Sequence, residues 1–230
     1  MSQKYNFTLD MEHENSVSTI LNSILPDTDV LEVACAHGRM TKYLQEQKHC
    51  RMTIIEWDHE AGNSAAQFAY DARHIGERLG DLEKPFWHET LTSEKKFFNH
   101  IIMADVLEHL HNPLKVLSQM KDLLKPNGSI WISVPNLAYN GVLIELLNGR
   151  FDYREIGLLD NTHWRFFAAK SLEKMVNEAG LKVTQRRDPK VRVRRSELKN
   201  SYFEIPWFVA LYLRFRPAGE TYQFVWELRR

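Results

Sequence analysis

The feature that most constrains this fold is an alternation of short apolar runs with helical segments, which begins at Val30. The run 30–33 is followed by the small-residue loop Ala34–Gly38 and then by a helical pattern over residues 39–47. A buried strand, a tight turn and a helix in that order open an α/β unit. A loop of small residues also lets backbone N–H groups approach a bound molecule closely.

The alternation continues to the end of the chain. The patterns predict strands at 52–55, 75–79, 100–104, 129–134, 181–185 and 222–228, and helices at 17–25, 59–73, 113–124 and 171–179. Asn15 and Ser16 are candidate caps of the first helix, and Gly180 is the candidate cap of the last. Strands separated by helices predict an α/β fold with a mostly parallel, doubly wound sheet.

Two segments interrupt the alternation. Residues 135–170 follow the carboxyl end of a strand, where open α/β sheets bind ligands, so we interpret them as a substrate-side insertion. Residues 186–221 form an extension before the last strand. Their basic run 186–195 is interpreted as a solvent-facing strand or hairpin, with an anionic acceptor as the functional alternative. The apolar stretch 205–213 predicts a buried helix, with an interface or a membrane-surface contact as alternatives.

The composition narrows the class of protein. The 30 basic and 30 acidic side chains cancel over 230 residues, which argues against a nucleic-acid partner. Cys35 and Cys50 form no CxxC pair, which argues against a structural zinc site or a disulfide framework. The polar N-terminus lacks a secretory pattern, and the longest apolar stretch is far shorter than the ~20 residues that cross a bilayer. We therefore expect a soluble, cytoplasmic protein without a transmembrane segment.

The loop after the first strand belongs to a longer series of motifs. VLEVACAHGRMTKYL resembles the first motif of class I S-adenosylmethionine-dependent methyltransferases, TIIEWD resembles their second strand, and GDLE at 80–83 resembles their adenine-contacting turn. IIMADVLEHLHNPLKVL resembles their fourth strand and its helix, and LLKPNGSIWISVPN resembles their fifth-strand region. The segment GLLDNTHWRFF further resembles a subgroup associated with polysaccharide and glycan biosynthesis.

This resemblance implies a Rossmann-like, doubly wound, seven-stranded sheet that is mostly parallel with an antiparallel last strand. It implies a single methyltransferase domain over residues 1–230, with the cofactor-binding core at 28–185, the insertion at 135–170 and the extension at 186–221. The implied cofactor is S-adenosylmethionine. The cofactor-binding residues implied are Glu32, Ala34, Cys35, Ala36, Gly38, Glu56, Trp57, Asp81, Leu82, Ala104 and Asp105.

Within that set the resemblance implies that Glu56 binds the ribose, that Trp57 packs on the adenine ring and that Asp81 accepts from the adenine amino group. Core packing is the alternative for Trp57. The family usually has glycine where this chain has Ala34 and Ala36, so we expect negative φ at these positions or a shifted loop. A degenerate, non-binding relative is the corresponding alternative.

A second group of polar residues follows the fourth predicted strand. Asp105, Glu108 and His109 have the i, i+3, i+4 spacing that places side chains on one helical face, and His163 lies in the insertion. Carboxylates and histidines in such a pattern can bind a divalent cation. The pattern resembles the metal site of small-RNA terminal 2′-O-methyltransferases and of ubiquinone-pathway O-methyltransferases, which implies Mg²⁺ held by these four residues. A solvated helix face is the structural alternative.

Without a metal, His109 and His163 are the candidate catalytic bases, because an unperturbed histidine has a pKa of about 6.5. A candidate base favours methylation of a hydroxyl, and a sugar or glycan acceptor is the preferred interpretation. A quinone or other aromatic metabolite is the enzymatic alternative, and a pseudo-methyltransferase binding module is the non-catalytic one. The expected partner is a small-molecule or glycan acceptor, and the sequence does not determine the oligomeric state.

Overall fold

The elements alternate along the chain in a computed structural model, which describes residues 8–230. The strands are β1 (Asp29–Val33), β2 (Arg51–Glu56), β3 (Asp71–Ile75), β4 (Phe98–Ala104), β5 (Leu124–Pro135), β6 (Lys182–Arg186) and β7 (Gln223–Arg229). The helices are α1 (Ser16–Ser23), α2 (Arg39–Lys48), α3 (His59–Ala66), α4 (Phe86–Ser93), α5 (Pro113–Asp122), α6 (Asn140–Leu147), α7 (Ala169–Glu178) and α8 (Trp207–Phe215). The predicted start of the domain, residues 1–7, lies outside the described residues.

The strands form one seven-stranded sheet in the order β3-β2-β1-β4-β5-β7-β6. Strand β7 runs antiparallel to both of its neighbours, and the remaining strands are parallel to one another. This confirms the predicted Rossmann-like, doubly wound α/β sheet with an antiparallel last strand. The chain leaves β1 on one side and reaches β4 on the other, so the carboxyl ends of these two strands form the switch point where such sheets bind ligands.

Helix boundaries follow their capping residues. The side chain of Asn15 accepts from the backbone N–H of Ser18 and begins α1, as predicted. Asn112 caps α5 in the same way, with Pro113 as its first residue. Gly180 ends α7 with a φ of +73°, which confirms its predicted role as a cap.

The predictions for residues 59–93 are partly wrong. Helix α3 ends at Ala66, strand β3 covers residues 71–75 rather than 75–79, and helix α4 is an element that the pattern did not indicate. The alanines of this stretch have high helix propensity, but Tyr70 N–H donates to the Met52 carbonyl at 2.8 Å and starts the pairing with β2. Helix α4 buries only Trp87 and Leu91, too few residues to give a helical period.

The insertion and the extension share one hydrophobic cluster, which includes Tyr139, Val142, Leu158, Ile205 and Leu213. Residues from both segments therefore pack against each other, and we call them together the cap. The cap stands beyond the carboxyl end of β5 and leads directly into β7.

Two predictions for the extension are wrong. Strand β6 ends at Arg186, and the basic run that follows is irregular rather than a strand or hairpin. It is joined to residues 220–225 by the Lys190–Thr221 bridge and by backbone hydrogen bonds from Arg187 N–H to Val225 O and from Val191 N–H to Glu220 O. Helix α8 buries only Leu213 and exposes most of its apolar side chains, so it is not a buried helix. No helix within residues 8–230 is both long and apolar enough to cross a membrane.

Candidate cofactor and acceptor site

In the loop after β1, every second residue from Ala34 to Gly38 adopts the left-handed backbone conformation. The φ angles are +53° at Ala34, +47° at Ala36 and +77° at Gly38, so the expectation of negative φ at the two alanines is wrong. This conformation costs an L-residue about 1–2 kcal/mol. It persists because neighbouring hydrogen bonds fix the loop: Ala34 N–H donates to Ile55 O at 2.8 Å, and Gly38 N–H donates to Cys35 O at 2.9 Å. Cys35 itself is buried.

Gly38 is required for a second reason besides its positive φ. A Cβ atom added at this position would lie 2.6 Å from the Cβ of Ala65 and 2.8 Å from its Cα. Gly38 therefore allows the beginning of α2 to approach α3, and the loop between β1 and α2 stays tight.

Glu56, at the end of β2, ties two loops together. Its carboxylate accepts from Ala36 N–H at 2.7 Å and from Asp58 N–H at 2.8 Å. Burial raises the pKa of this carboxyl group, and these two donors oppose the rise. Trp57 follows with 45% of its surface exposed, which excludes the core-packing alternative for this side chain.

The GDLE turn is held against the end of β2 by its glycine. Gly76 N–H donates to the Glu56 carbonyl, and Gly80 N–H donates to Gly76 O. A Cβ atom on Gly80 would lie 1.9 Å from the Glu56 carbonyl oxygen, so only glycine fits. The turn therefore carries Asp81 to the same edge of the sheet as Glu56. The side chain of Leu82 lies in the main hydrophobic core, which leaves only its backbone to face a ligand.

A buried acid and a cation lie beneath the first loop. Glu32 is 3% exposed and accepts from the Thr41 hydroxyl at 2.7 Å. Burial raises the pKa of Glu32 to about 7. Arg39, the first residue of α2, interacts electrostatically with both Asp105 and Glu32. The motif comparison gave no role to Arg39 or Thr41, although both lie within the first motif.

Asp105 follows β4 and the half-buried Ala104. Its φ is +55°, its N–H donates to Ser133 O at 3.1 Å, and Ser133 Oγ donates to its carboxylate at 3.0 Å. The side-chain amide of Gln223, at the beginning of β7, donates to the same carboxylate oxygen. Ser133 and Gln223 were not predicted from the sequence, because no local pattern relates β5 and β7 to Asp105.

The predicted helical face at Asp105, Glu108 and His109 does not form. Residues 107–109 are a single 3-10 turn, and α5 begins only at Pro113. Ligand atoms of Glu108, His109 and His163 nevertheless lie within 4.8 Å of one another. Asp105 is outside this group, so the predicted four-residue set is reduced to three. We call these three residues the acceptor cluster.

Backbone hydrogen bonds bring His163 to the other two residues. The Glu108 carbonyl accepts from Trp164 N–H at 2.8 Å and from Arg165 N–H at 3.0 Å. The rings of His109 and His163 then meet edge to face, with centroids 4.8 Å apart. His109, which follows β4, and His163 of the insertion therefore lie side by side, as the sequence predicted.

The Glu108 side chain is the most unusual group in the site. It is 1% exposed, and neither carboxylate oxygen has a hydrogen-bond partner among the described residues. Burial raises its pKa well above the ordinary value, and the nearby carboxylates of Asp105 and Asp160 raise it further. A buried carboxyl group without partners calls for a proton or a bound cation.

Aromatic rings surround the cluster on the side of the cap. Phe166 lies 6.1 Å from His163 between ring centroids, and Phe151 contacts both Phe166 and Tyr153 edge to face. The ring of Trp164 packs at 4.6 Å on His111.

A comparison with known protein families agrees with this fold. A family model described as a methyltransferase domain matches residues 10–186. The chain therefore belongs to this methyltransferase domain family.

Two curated relatives are ubiquinone biosynthesis O-methyltransferases. The protein from Dinoroseobacter shibae is 27% identical over 157 residues, which cover 66% of this chain and 59% of that protein. The mitochondrial protein from Dictyostelium discoideum is 20% identical over 166 residues, which cover 70% of this chain and 51% of that protein. The chain thus matches between half and three fifths of the length of these relatives.

Solved structures agree on the fold. A methyltransferase from Archaeoglobus fulgidus superposes with a TM-score of 0.62 at 14% identity, covering 93% of this chain and 91% of that one. The 1,6-didemethyltoxoflavin-N1-methyltransferase of Burkholderia thailandensis, with S-adenosylhomocysteine bound, gives a TM-score of 0.55 at 16% identity. That match covers 93% of this chain and 76% of the other.

Proposed function

We propose that this enzyme methylates a hydroxyl group of a small molecule and that His109 accepts the hydroxyl proton. The observation that carries the proposal is the acceptor cluster, which places two imidazoles and a carboxyl group within 4.8 Å of one another beside the switch point. A hydroxyl acceptor requires such a base near neutral pH, whereas a neutral amine requires less help.

The residues around the loop after β1 fit the cofactor. When bound, S-adenosylmethionine supplies an activated methyl group on a sulfonium sulfur. The methyl side chains and left-handed φ angles at Ala34 and Ala36 leave the backbone of this loop open to a ligand. We assign the methionine part to residues 34–38 with Glu32 and Asp105, because buried or hydrogen-bonded carboxylates can oppose an ammonium group.

The nucleoside part is assigned to the neighbouring edge of the sheet. Glu56 accepts one backbone N–H at each carboxylate oxygen, and each oxygen has a second lone pair for a ribose hydroxyl. Trp57 exposes its ring beside this acid, and the turn at Gly80 carries Asp81 to the same edge. Ala104, at the end of β4, is the last residue that we assign to the nucleoside part.

Hydrogen bonding defines which nitrogen of His109 acts as the base. Its Nδ1 lies 3.2 Å from the Thr162 carbonyl, which can only accept, and 3.2 Å from the Thr162 hydroxyl. That hydroxyl donates to Asp160 at 2.6 Å, so it too accepts from His109. Nδ1 therefore carries the proton, and Nε2 has the lone pair that takes the acceptor's proton.

For the acceptor we favour a hydroxylated aromatic ring. The rings of Phe166, Phe151 and Tyr153 lie along the cap next to His163, and edge-to-face packing is the arrangement that such rings prefer. Both curated relatives are named for ubiquinone biosynthesis, which supports the same class. The glycan acceptor predicted from residues 157–167 stays a prediction, and the same assay tests it.

A divalent transition-metal ion in the acceptor cluster is the alternative to a histidine base, because Nε2 of His109 cannot bind an ion and accept a proton at the same time. The unpartnered, buried Glu108 carboxyl group supports a cation there, and it would be held by Glu108, His109 and His163. Two imidazoles with one carboxylate suit manganese, iron, cobalt or zinc, whereas Mg²⁺ prefers oxygen ligands alone. The donor set therefore fits the predicted Mg²⁺ poorly. A bound ion would supply a Lewis acid to the acceptor oxygen.

The experiment is a methyl-transfer assay with catechols, prenylated phenols and nucleotide sugars as acceptors. Turnover of a phenolic hydroxyl supports the proposal, whereas turnover of nucleotide sugars alone would show that the acceptor is a sugar and not an aromatic ring. Activity that survives chelators and is unchanged by Mn²⁺ or Zn²⁺ contradicts the metal. Calorimetry with S-adenosylmethionine and S-adenosylhomocysteine tests the non-catalytic alternative, since a scaffold without a functional site would bind neither.

A further inference from the structure

Helix α8 presents an apolar face that stays largely exposed. Its exposed side chains Trp207, Phe208, Leu211, Tyr212 and Phe215 fall within one arc of the helix, because successive residues are about 100° apart. Phe203, in the 3-10 turn just before the helix, is 87% exposed, and Phe215 is 80% exposed. We call these six residues the α8 patch. Contiguous apolar patches of this kind mark interaction surfaces.

The α8 patch is held rigidly by the cap. The opposite side of α8 packs into the cap's hydrophobic cluster through Leu213, with Val209 and Ala210 against it. The side chain of Asn140 donates to the Leu213 carbonyl at 2.8 Å and thereby ties α8 to α6. The exposed face is therefore presented by an ordered helix rather than by a collapsed segment.

Cationic side chains border the patch. Arg194 lies over the Phe203 ring at 5.1 Å, and Arg214 lies over the Tyr202 ring at 5.5 Å. Residues 186–216 contain nine basic and three acidic side chains, although the whole chain is neutral. The aromatic face and the positive charge thus occupy the same part of the molecule.

We propose that the α8 patch docks on the surface of an anionic lipid bilayer. An amphipathic helix with tryptophan and phenylalanine on one side and arginine beside it inserts its apolar face into the boundary of the headgroups, and the arginines attract the anionic lipids. A second copy of the chain fits less well. A two-fold interface sets the patch of one copy against the same patch of the other and would bring the arginines of both copies to one border.

Docking in this orientation would place the cap, and with it the aromatic side of the acceptor cluster, next to the lipid. Phe151 and Phe166 belong to the same hydrophobic cluster as the inner side of α8. The proposal stands on the patch and its charges and does not depend on the identity of the methyl acceptor.

The test is sedimentation of the full chain with vesicles of phosphatidylcholine, with or without phosphatidylglycerol. We expect binding to the anionic vesicles, weakened by salt, and little binding to the neutral ones. Replacing both Trp207 and Phe208 by serine should weaken binding more than about tenfold, because two large apolar side chains no longer enter the lipid. Arg214→Gln should weaken it about fivefold.

Tyr70→Ser is the matched control, because this aromatic residue is as exposed as the patch but precedes β3 at the opposite edge of the sheet. It should bind vesicles like the unmodified chain. Equal vesicle binding by the doubly substituted variant would overturn the proposal. Two other results would also overturn it. The first is a dimer in light scattering that the double substitution dissociates, in a protein that does not bind vesicles. The second is binding of an oligonucleotide, but not of vesicles, through the patch.

Discussion

The cofactor side and the acceptor side of this site are built in different ways. The residues proposed for the cofactor, 32–38, 56–58 and 80–82, lie at or shortly after strand ends and are held together by hydrogen bonds between neighbouring strand ends. The acceptor side joins Glu108 and His109 to His163, more than fifty residues further along the chain. The first can be recognised as a row of motifs, whereas the second exists only once the cap has packed.

The two sides also carry different strain. The cofactor loop places two alanines in the left-handed region and buries Glu32, and both features cost stability. The acceptor side instead buries the Glu108 carboxyl group without hydrogen bonds. Substitutions on the two sides should therefore separate into effects on folding and cofactor affinity, and effects on turnover.

The largest expected effect belongs to the acceptor side. His109→Ala should lower kcat by about 10²- to 10⁴-fold, because the hydroxyl proton then has no positioned base. Cofactor affinity, measured by calorimetry, should stay unchanged, since His109 is not among the residues assigned to the cofactor. His13→Ala, an exposed histidine far along the chain from the cluster, is the control. A kcat that stays within twofold would place the base elsewhere.

Glu32→Gln should stabilise the protein at alkaline pH. The pKa of Glu32 is raised to about 7 in the folded state, so the folded protein binds more protons than the unfolded chain between about pH 4.5 and 7. Stability therefore falls as the pH rises through this window, by roughly 3 kcal/mol in total. The glutamine amide does not titrate and has no such loss. The unfolding free energy of Glu32→Gln, measured in urea, should therefore exceed that of the unmodified protein by about this amount at pH 8 and nearly equal it at pH 4.

The control for this pH effect is Glu46→Gln, on the exposed side of helix α2, the helix whose Thr41 donates to Glu32. Its unfolding free energy should follow that of the unmodified chain at every pH. Parallel pH profiles for Glu32→Gln and the unmodified protein would show that the buried acid is not the cause.

Gly38→Ala should lower the unfolding free energy by about 2–3 kcal/mol, because a strained φ and an overlap with Ala65 add together. Gly149→Ala separates the two contributions. That glycine also has a positive φ, +71°, but nothing lies within 4 Å of its added Cβ. We expect a cost of only about 1 kcal/mol there, measured by urea unfolding. Equal losses at the two glycines would rule out the steric contribution.

Ala36→Gly gives the smallest expected effect. Glycine removes the left-handed strain but adds conformational entropy to the unfolded chain, so the unfolding free energy should change by less than about 1 kcal/mol. Calorimetry should show unchanged or slightly tighter binding of S-adenosylmethionine. A large loss of stability would mean that the methyl group of Ala36 makes a packing contribution.

The same division separates the elements that the sequence predicts well from those that it does not. Strands β1, β2 and β4 were predicted within about two residues because each is a buried apolar run next to a motif. Strand β3 was misplaced because its polar edge-strand sequence lies beside helix-favouring alanines. Three of the four predicted cluster residues lie close together, but not through the helical spacing that suggested them, since residues 107–109 form a 3-10 turn.

The sequence by itself determined the sheet, its switch point and the positions of the cofactor motifs, because these depend on periodicity and on small residues at fixed distances from strand ends. Only the tertiary structure decided that Ala34 and Ala36 adopt positive φ, that Arg39 lies between two acids and that Asp105 is outside the cluster. It also decided that α8 turns its aromatic residues outward. These outcomes depend on contacts between segments distant in sequence, and local patterns carry no information about such contacts.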